Sequence, residues 1–271
     1  MSISALLIRL AGDNAIVLAT VRMLFAALTA WVITLSGSGT QIATDRRANW
    51  LIVLAGIALA AHFAFWTVAV RITTVAHATV LVSMHPVIVA VGARLVFGER
   101  LSTGKTIGLA LALVGAALLA VGGSSAGRAP VAAGNALAAA GAGALAIYLL
   151  AGRQVRQSLA PWRYSALVYS VAALTLLPFA APTVIATGVA QSDLWIAAAL
   201  ALVCTIGGHS LVSWALRHLP AVEVSAAILV EPVFATLLAV PLFGEVPTLL
   251  TATGGAVVIL ALAAPALTRQ K

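Results

Sequence analysis

Hydrophobic positions in this chain come in long unbroken runs, and polar residues are mostly confined to the short stretches between them. Crossing ~30 Å of hydrocarbon at ~1.5 Å per residue takes about 20 residues. Nine runs come to about that length, at approximately 14–36, 49–70, 75–97, 103–122, 131–152, 162–181, 194–216, 221–243 and 247–267. The spacers carry breakers and charge, as in Gly37-Ser38-Gly39-Thr40, Gly122-Gly123-Ser124-Ser125 and Ala181-Pro182. Several are so short that neighbouring helices have to lie antiparallel. A tenth apolar stretch, Met1–Ala11, is interrupted only by Ser2, Ser4 and Arg9. It lacks the basic start and the small-residue cleavage site of a signal peptide.

The pattern is written twice. Adding 146 carries Pro86 onto Pro232, Val87 onto Val233, Phe97-Gly98-Glu99 onto Phe243-Gly244-Glu245, Gly108 onto Gly254 and Ala110 onto Ala256, with no gap. The same offset pairs Arg71 with Arg217 and Ala26-Ala27-Leu28 with Ala172-Ala173-Leu174. The run near Val131 then maps to before Met1, so Met1–Ala11 reads as the last half of a first helix. Roughly ten to fifteen helical residues are expected upstream of it. The expected fold is an all-α polytopic membrane protein of ten transmembrane helices, the first truncated. They form two inverted five-helix repeats, 1–122 and 131–271.

Composition fixes the solvent: 62% of residues are hydrophobic and 8% charged, too few to cover a water-soluble surface. A formal charge of +8 is compatible with nucleic-acid binding, but the basic residues form no cluster longer than Arg46-Arg47. They read better as loop charge. Ten of them (Arg46, Arg47, Arg100, Lys105, Arg153, Arg156, Arg163, Arg217, Arg269 and Lys271) fall on one side of the membrane, against Arg71 and Arg128 on the other. That asymmetry places both termini in the cytoplasm of a cell whose inner (plasma) membrane holds the protein, with Asp13, Asp193 and Glu245 outside. Cys204 stands alone in an apolar run, so neither a disulfide framework nor a thiolate metal site is expected.

Several of these residues resemble the drug/metabolite transporter superfamily, EamA type. The resemblance lies in Arg22 followed by Ala26-Ala27 in the second helix, a proline midway along the fourth, Glu231-Pro232-Val233, and Phe-Gly-Glu closing the fourth and ninth helices. It covers nearly the whole chain and departs from the pattern at the shortened first helix. It implies a transporter, often an exporter of amino acids or other small metabolites, with aromatic amino-acid exporters among the better-known members. Arg22, matching a family position, is read as structural.

The expensive groups point the same way. His62, His85-Pro86, Gly207-Gly208-His209 and Glu231-Pro232 all fall near the midpoints of their runs, where polar groups normally face a bundle interior or a wet cavity. His62 and Trp66 share a helix face and either wall a solute site or pack on a neighbour. His85 either lines that site or bonds another helix. Gly208 either admits a solute or permits close helix packing. Glu231, the one carboxylate near a midpoint, is either a proton carrier or a structural acid beside Pro232. Pro86 and Pro232 each free backbone acceptors at mid-depth and are the expected hinges. The expected substrate-binding set is His62, Trp66, His85, Gly208, His209 and Glu231. Trp214 reads as an interface anchor, Arg94 as reaching headgroups, and Glu223 as either snorkelling or pairing with Arg217 or His218.

No zinc-protease helix, nucleophile elbow, paired-aspartate motif or phosphate loop is present, so no enzymatic activity, cofactor or metal is expected, nor ATP hydrolysis by this chain or an ATPase subunit. The expected partners are a small neutral or partly apolar solute and the bilayer, and no nucleic acid. The midpoints lack the basic clamp a phosphorylated solute requires. A non-transporting receptor, or a polytopic enzyme built on His62, His85, His209 and Glu231, is the alternative.

Overall fold

The computed structural model describes residues 3–12, 14–37, 46–73, 75–99, 101–122, 132–243 and 247–267, and no strand occurs among them. The helices are α1 (Ser4–Leu10), α2 (Ala15–Ser36), α3 (Arg46–Ile72), α4 (Val75–Val82), α5 (His85–Phe97), α6 (Thr103–Gly122), α7 (Ala132–Val155) and α8 (Pro161–Thr187). Then follow α9 (Gln191–Ala199), a π-helical segment (Leu200–His209), α10 (Ser210–His218), α11 (Ala221–Ile228), α12 (Glu231–Phe243) and α13 (Leu249–Leu267). Taken across their breaks, seven described helices are long and apolar enough to cross a membrane. Thr103–Leu119 and Leu249–Ala263 are shorter apolar helices. The architecture is therefore all-helical and multi-pass.

Three features depart from the run pattern. The runs 75–97 and 221–243 are each two helices, broken at Ser83-Met84 and at Leu229-Val230. The 194–216 run passes through ten residues of π-helix. Ala181-Pro182, expected as a spacer, lies inside α8, which continues to Thr187 and stops at Gly188 with φ 72°. Pro178 and Pro182 each cost one ladder bond, but both are exposed, so their rings meet no packed neighbour and the helix survives them. Ser38-Gly39-Thr40, Gly123-Ser124-Ser125, Gly244-Glu245, Met1, Asp13, Arg100, Arg128, Arg269 and Lys271 lie outside the described residues.

Packing knits the two halves of the chain together: α3 lies along α7, α2 along α8, and α6 along α13. Small residues set these approaches, since without a hydrophobic drive between helices it is close contact that holds them. A β-carbon on Gly254 would stand 2.6 Å from Gly115 O, and one on Gly115 would stand 2.8 Å from Gly254 O. The buried aromatics Phe63, Tyr148, Tyr164 and Tyr169 belong to the principal core, with α2, α3, α7 and α8 as its main walls. A smaller cluster around Val233 and Val258 joins α6, α12 and α13.

One end of the bundle is tied by basic residues. Gly98, with φ 66°, takes the left-handed position that stops α5, and the Gly98 and Glu99 N–H groups return to Arg94 O and Ala93 O. The stop delivers Glu99 to Arg153, 3.7 Å away. Arg153 also donates to Leu216 O at 3.0 Å, and Arg156 to Ser213 O at 2.7 Å. Glu223, expected to pair with Arg217 or His218, meets Lys105 of α6, because the start of α6 comes within reach of the first turn of α11. Arg94 is exposed, as is Trp214, which rests on His218 with ring centroids 4.8 Å apart. At the opposite end Arg71 donates to Ile8 O and Ala11 O, and Asp193 accepts the Gly12 N–H at 2.7 Å.

The backbone contact between α6 and α13 yields a test. Gly254→Ala should lower stability by about 1–3 kcal/mol, because its methyl meets backbone that cannot swing aside. Gly207→Ala, whose methyl would meet only Leu202 O at 3.6 Å, should be neutral or slightly stabilising. Thermal unfolding in detergent compares the two, and equal losses would refute the packing argument.

Candidate functional site

The centre of the site is built by the breaks. Pro86 has no N–H, which leaves Val82 O, one turn earlier, without its helical donor. His85 fills that gap: its Nδ1 lies 2.9 Å from Val82 O and donates to it, which puts the other proton-binding nitrogen, Nε2, on the far side of the ring. Nε2 is buried, and the ring also meets the backbone of Ser225 on α11. The second break repeats the geometry 146 residues later, where α4 (75–82) and α5 (85–97) map onto α11 (221–228) and α12 (231–243). Glu231 occupies the position of His85. It is half-buried, and its charge acts on Arg22.

A cluster of rings stands between α3, α7 and the π-helical segment. His62 and Phe63 are neighbours on α3, and His209 closes the π-helical segment. The His209 ring lies edge-on to Phe63 at 5.1 Å, to Tyr148 at 6.1 Å and to His62 at 6.2 Å. His62 Nδ1 donates to Gly141 O at 3.0 Å, so this histidine also ties α3 to α7. His85 is close enough for its charge to act on His62.

Arg22 holds the cluster from one side. Its guanidinium sits 4.0 Å from the Phe63 ring centroid, its Nε donates to Thr205 Oγ1 at 2.8 Å, and Nη1 reaches Ser4 Oγ at 3.4 Å. A cation–π contact and charge-assisted hydrogen bonds offset part of what burial costs the ion. Thr205 is placed by the π-helix, in which its own hydroxyl reaches back five residues to Leu200 O. Tyr169 Oη lies 3.1 Å from Ser210 Oγ and 3.4 Å from Thr205 O, adding α8 to the same junction. The result is a mid-helix site of aromatic and imidazole faces, one guanidinium and one carboxylate. Among the described residues no three His, Cys, Asp or Glu side chains could hold a metal ion.

Residues 1–121 match the model of the EamA-like transporter family, and residues 132–264 match it a second time. The chain belongs to the EamA-like transporter family. A solved crystal structure of a protein, 20% identical, superposes with a TM-score of 0.78 over 98% of this chain and 92% of that one, a likeness that speaks for the fold. No curated protein matches the chain. As an EamA-like transporter it is a multi-pass membrane protein that moves a small molecule across a bilayer.

Of the six residues expected to bind solute in this transporter, the structure brings His62 and His209 together and places His85 and Glu231 within electrostatic reach of the cluster. Trp66 points elsewhere, packing on the neighbouring apolar group of Ala69, Ala138 and Leu200. Gly208 is half-buried inside the π-helix, next to His209. Sequence reasoning missed Phe63, Tyr148, Tyr169 and Thr205, and saw Arg22 only as structural. One signal was available: the chain has three tyrosines, all between 148 and 169, and all three are fully buried.

Arg22→Lys keeps the charge but loses the Nε–H bond and the flat stacking surface. It should lower stability by about 1.5–3 kcal/mol, the range for a hydrogen bond to a charged group. Tyr148→Phe, which removes a hydroxyl without a partner, should leave stability unchanged or raise it. Unfolding of both variants in one detergent checks the pair, and an unaffected Arg22→Lys would show that the guanidinium geometry is immaterial.

Proposed function

We infer that this EamA-like transporter exports small neutral or partly apolar metabolites, amino acids foremost, across the inner (plasma) membrane by alternating access about the ring cluster. In this reading ten helices form two inverted five-helix repeats, 1–122 and 131–271, with both termini in the cytoplasm and the basic end facing inward. The direction rests on the family resemblance. The solute class rests on the lining: His62, Phe63, His209 and Tyr148 offer ring faces, while full charges are few.

One observation supports the mechanism most directly. Both broken helices stop and restart at positions related by 146 residues, each at a proline preceded by a polar residue. Breaks of this kind sit at the substrate site of inverted-repeat transporters and let one half rock against the other. Pro86 and Pro232 are the hinges. His62, His85, His209 and Glu231 face the solute, with Trp66 and Gly208 at the margin.

The two breaks differ in one chemical respect. His85 donates to the carbonyl that Pro86 frees, whereas Glu231 can donate to the corresponding carbonyl, Ile228 O, only when it carries a proton. Binding a proton therefore lets Glu231 close the second break as His85 closes the first. That is a direct coupling of protonation to helix geometry.

In proteoliposomes of the purified protein, phenylalanine or threonine should accumulate down an imposed gradient while hexose phosphates do not. Movement of organic phosphates alone would overturn the solute reading. Pro86→Ala and Pro232→Ala should each slow transport several-fold without loss of folding, since restoring an N–H stabilises a helix. Glu231→Gln, whose amide donates permanently, should transport without dependence on a pH gradient. A Gln variant that keeps the wild-type gradient dependence would assign Glu231 a structural role instead.

A further inference from the structure

Beneath the ring cluster, on the side of the basic end, runs a seam between α7, α8 and the end of the π-helix with α10. On α7 and the turn that follows it, the seam is lined by Tyr148, Gly152 and Arg156, four residues apart, and on the opposing helix by His209, Ser213 and Arg217, also four apart. Residues at this spacing share a helix face. Tyr164 enters from α8, close enough that a β-carbon on Gly152 would stand 2.7 Å from its hydroxyl and 3.0 Å from Leu216 Cδ1. Tyr148, Arg156, Tyr164 and Ser213 are all fully buried.

The seam is polar and buried. Arg156 spends Nε on Ser213 O, while both of its terminal nitrogens, the Tyr148, Tyr164 and Ser213 hydroxyls, and His209 Nδ1 have no hydrogen-bond partner. Each such group costs stability where its hydrogen bond is left unmade. Apolar residues of the same size would hold a permanently closed seam better. Groups so placed are explained if water and solute reach them in another state of the transporter. Their chemistry selects the visitor. The guanidinium can only donate, the hydroxyls can donate as well, and Arg217 adds a second positive charge that acts on Arg156. Burial and Arg217 together bring Arg156 down to about 10, so it remains a cation at neutral pH. A donor-rich, positively charged strip accepts anions, and the fork of a guanidinium matches a carboxylate.

We propose that this seam opens as the route between the ring cluster and the basic end, and that Arg156 receives the carboxylate of the passing solute there. The inference rests on the transporter reading and on a solute that carries a carboxylate. In the closed state described here, Arg156 on Ser213 O and Arg153 on Leu216 O hold the seam shut. When α10 parts from α7 the same donors turn to the solute, first at His209 and Tyr148, then at Ser213, Tyr164 and Arg156.

Two measurements test it on the full-length protein in proteoliposomes. In a Cys204→Ala background, Ser213→Cys should react with a charged methanethiosulfonate reagent in folded protein, faster during phenylalanine counterflow. Leu216→Cys, in the same seam, serves where a cysteine at 213 prevents folding. Arg156→Gln should raise KM for phenylalanine by roughly tenfold, the loss of one strong bidentate pair, while KM for phenylalaninamide stays put. Arg156→Lys should fall between. Cysteines that react only after denaturation would show that the seam never opens. An Arg156→Gln variant that impairs acid and amide alike would reduce Arg156 to a clasp on Ser213. Wild-type protein that moves neither compound would count against the amino-acid reading, while cysteine labelling still decides whether the seam opens.

Discussion

A backbone carbonyl inside hydrocarbon has to find a proton, and much of this structure follows from how two such carbonyls are treated. Pro86 and Pro232 withhold the donors that an unbroken helix would supply. At the first, the imidazole of the preceding residue takes over, so the chain can stop at Val82, turn through Ser83-Met84 and restart at His85 with a partner for the freed oxygen. An alanine in place of Pro86 would remove the break together with the need for His85. The break in turn carries the far side of the His85 ring toward the backbone of Ser225, so this imidazole joins the first broken helix to the second.

A second constraint is the buried charge of Arg22. A guanidinium in this environment has to recruit partners, and it recruits them from many elements: Ser4 on α1, Phe63 on α3, Thr205 on the π-helix, and the charge of Glu231 at the start of α12. The ten-residue π-helix places Thr205 beside Arg22 Nε and His209 beside Phe63, a pair of positions that α-helical spacing across the segment would redistribute. Arg22 is thus structural in the sense expected of it, and it is also the electrostatic wall of the site, because what it braces is the ring cluster.

Much of the fold was legible because hydrocarbon permits few solutions. Run length found most of the apolar helices, and the 146-residue offset related the run 75–97 to the run 221–243, though each is two helices and not the single one its length suggested. Phe97-Gly98-Glu99 read as punctuation and proved to be a left-handed glycine stop that hands Glu99 to Arg153. What stayed hidden depends on tertiary partners. Nothing local distinguishes Pro178 and Pro182, which α8 tolerates, from Pro86, at which a helix breaks. Gly207-Gly208 is a poor announcement of a π-helix, and Lys105 meets Glu223 across 118 residues of sequence. In the site, the His62 ring meets His209, whereas Trp66, on the same helix face, packs on the group of Ala69, Ala138 and Leu200, because sharing a helix face does not decide which neighbour that face meets one turn later.

The two ends of the bundle are closed by different chemistry, and the difference bears on which of them yields. At the end holding Arg71 and Asp193, the ties run from side chains to the backbone of α1 and the turn after it, and from the Thr73 hydroxyl to Asn135 Oδ1. At the basic end the ties are ion pairs and arginine-to-carbonyl bonds spread over α5, α6, α7, α10 and α11, lying on the ends of long helices. Exposed or half-exposed ion pairs contribute about 0–1 kcal/mol each, because water competes for both partners. The Lys105–Glu223 and Arg153–Glu99 pairs are of that weak kind, whereas the bond from Arg156 to Ser213 O is buried and charge-assisted and is worth more. In the seam reading proposed above, that buried bond is therefore the one whose loss governs opening, and the ion pairs add little.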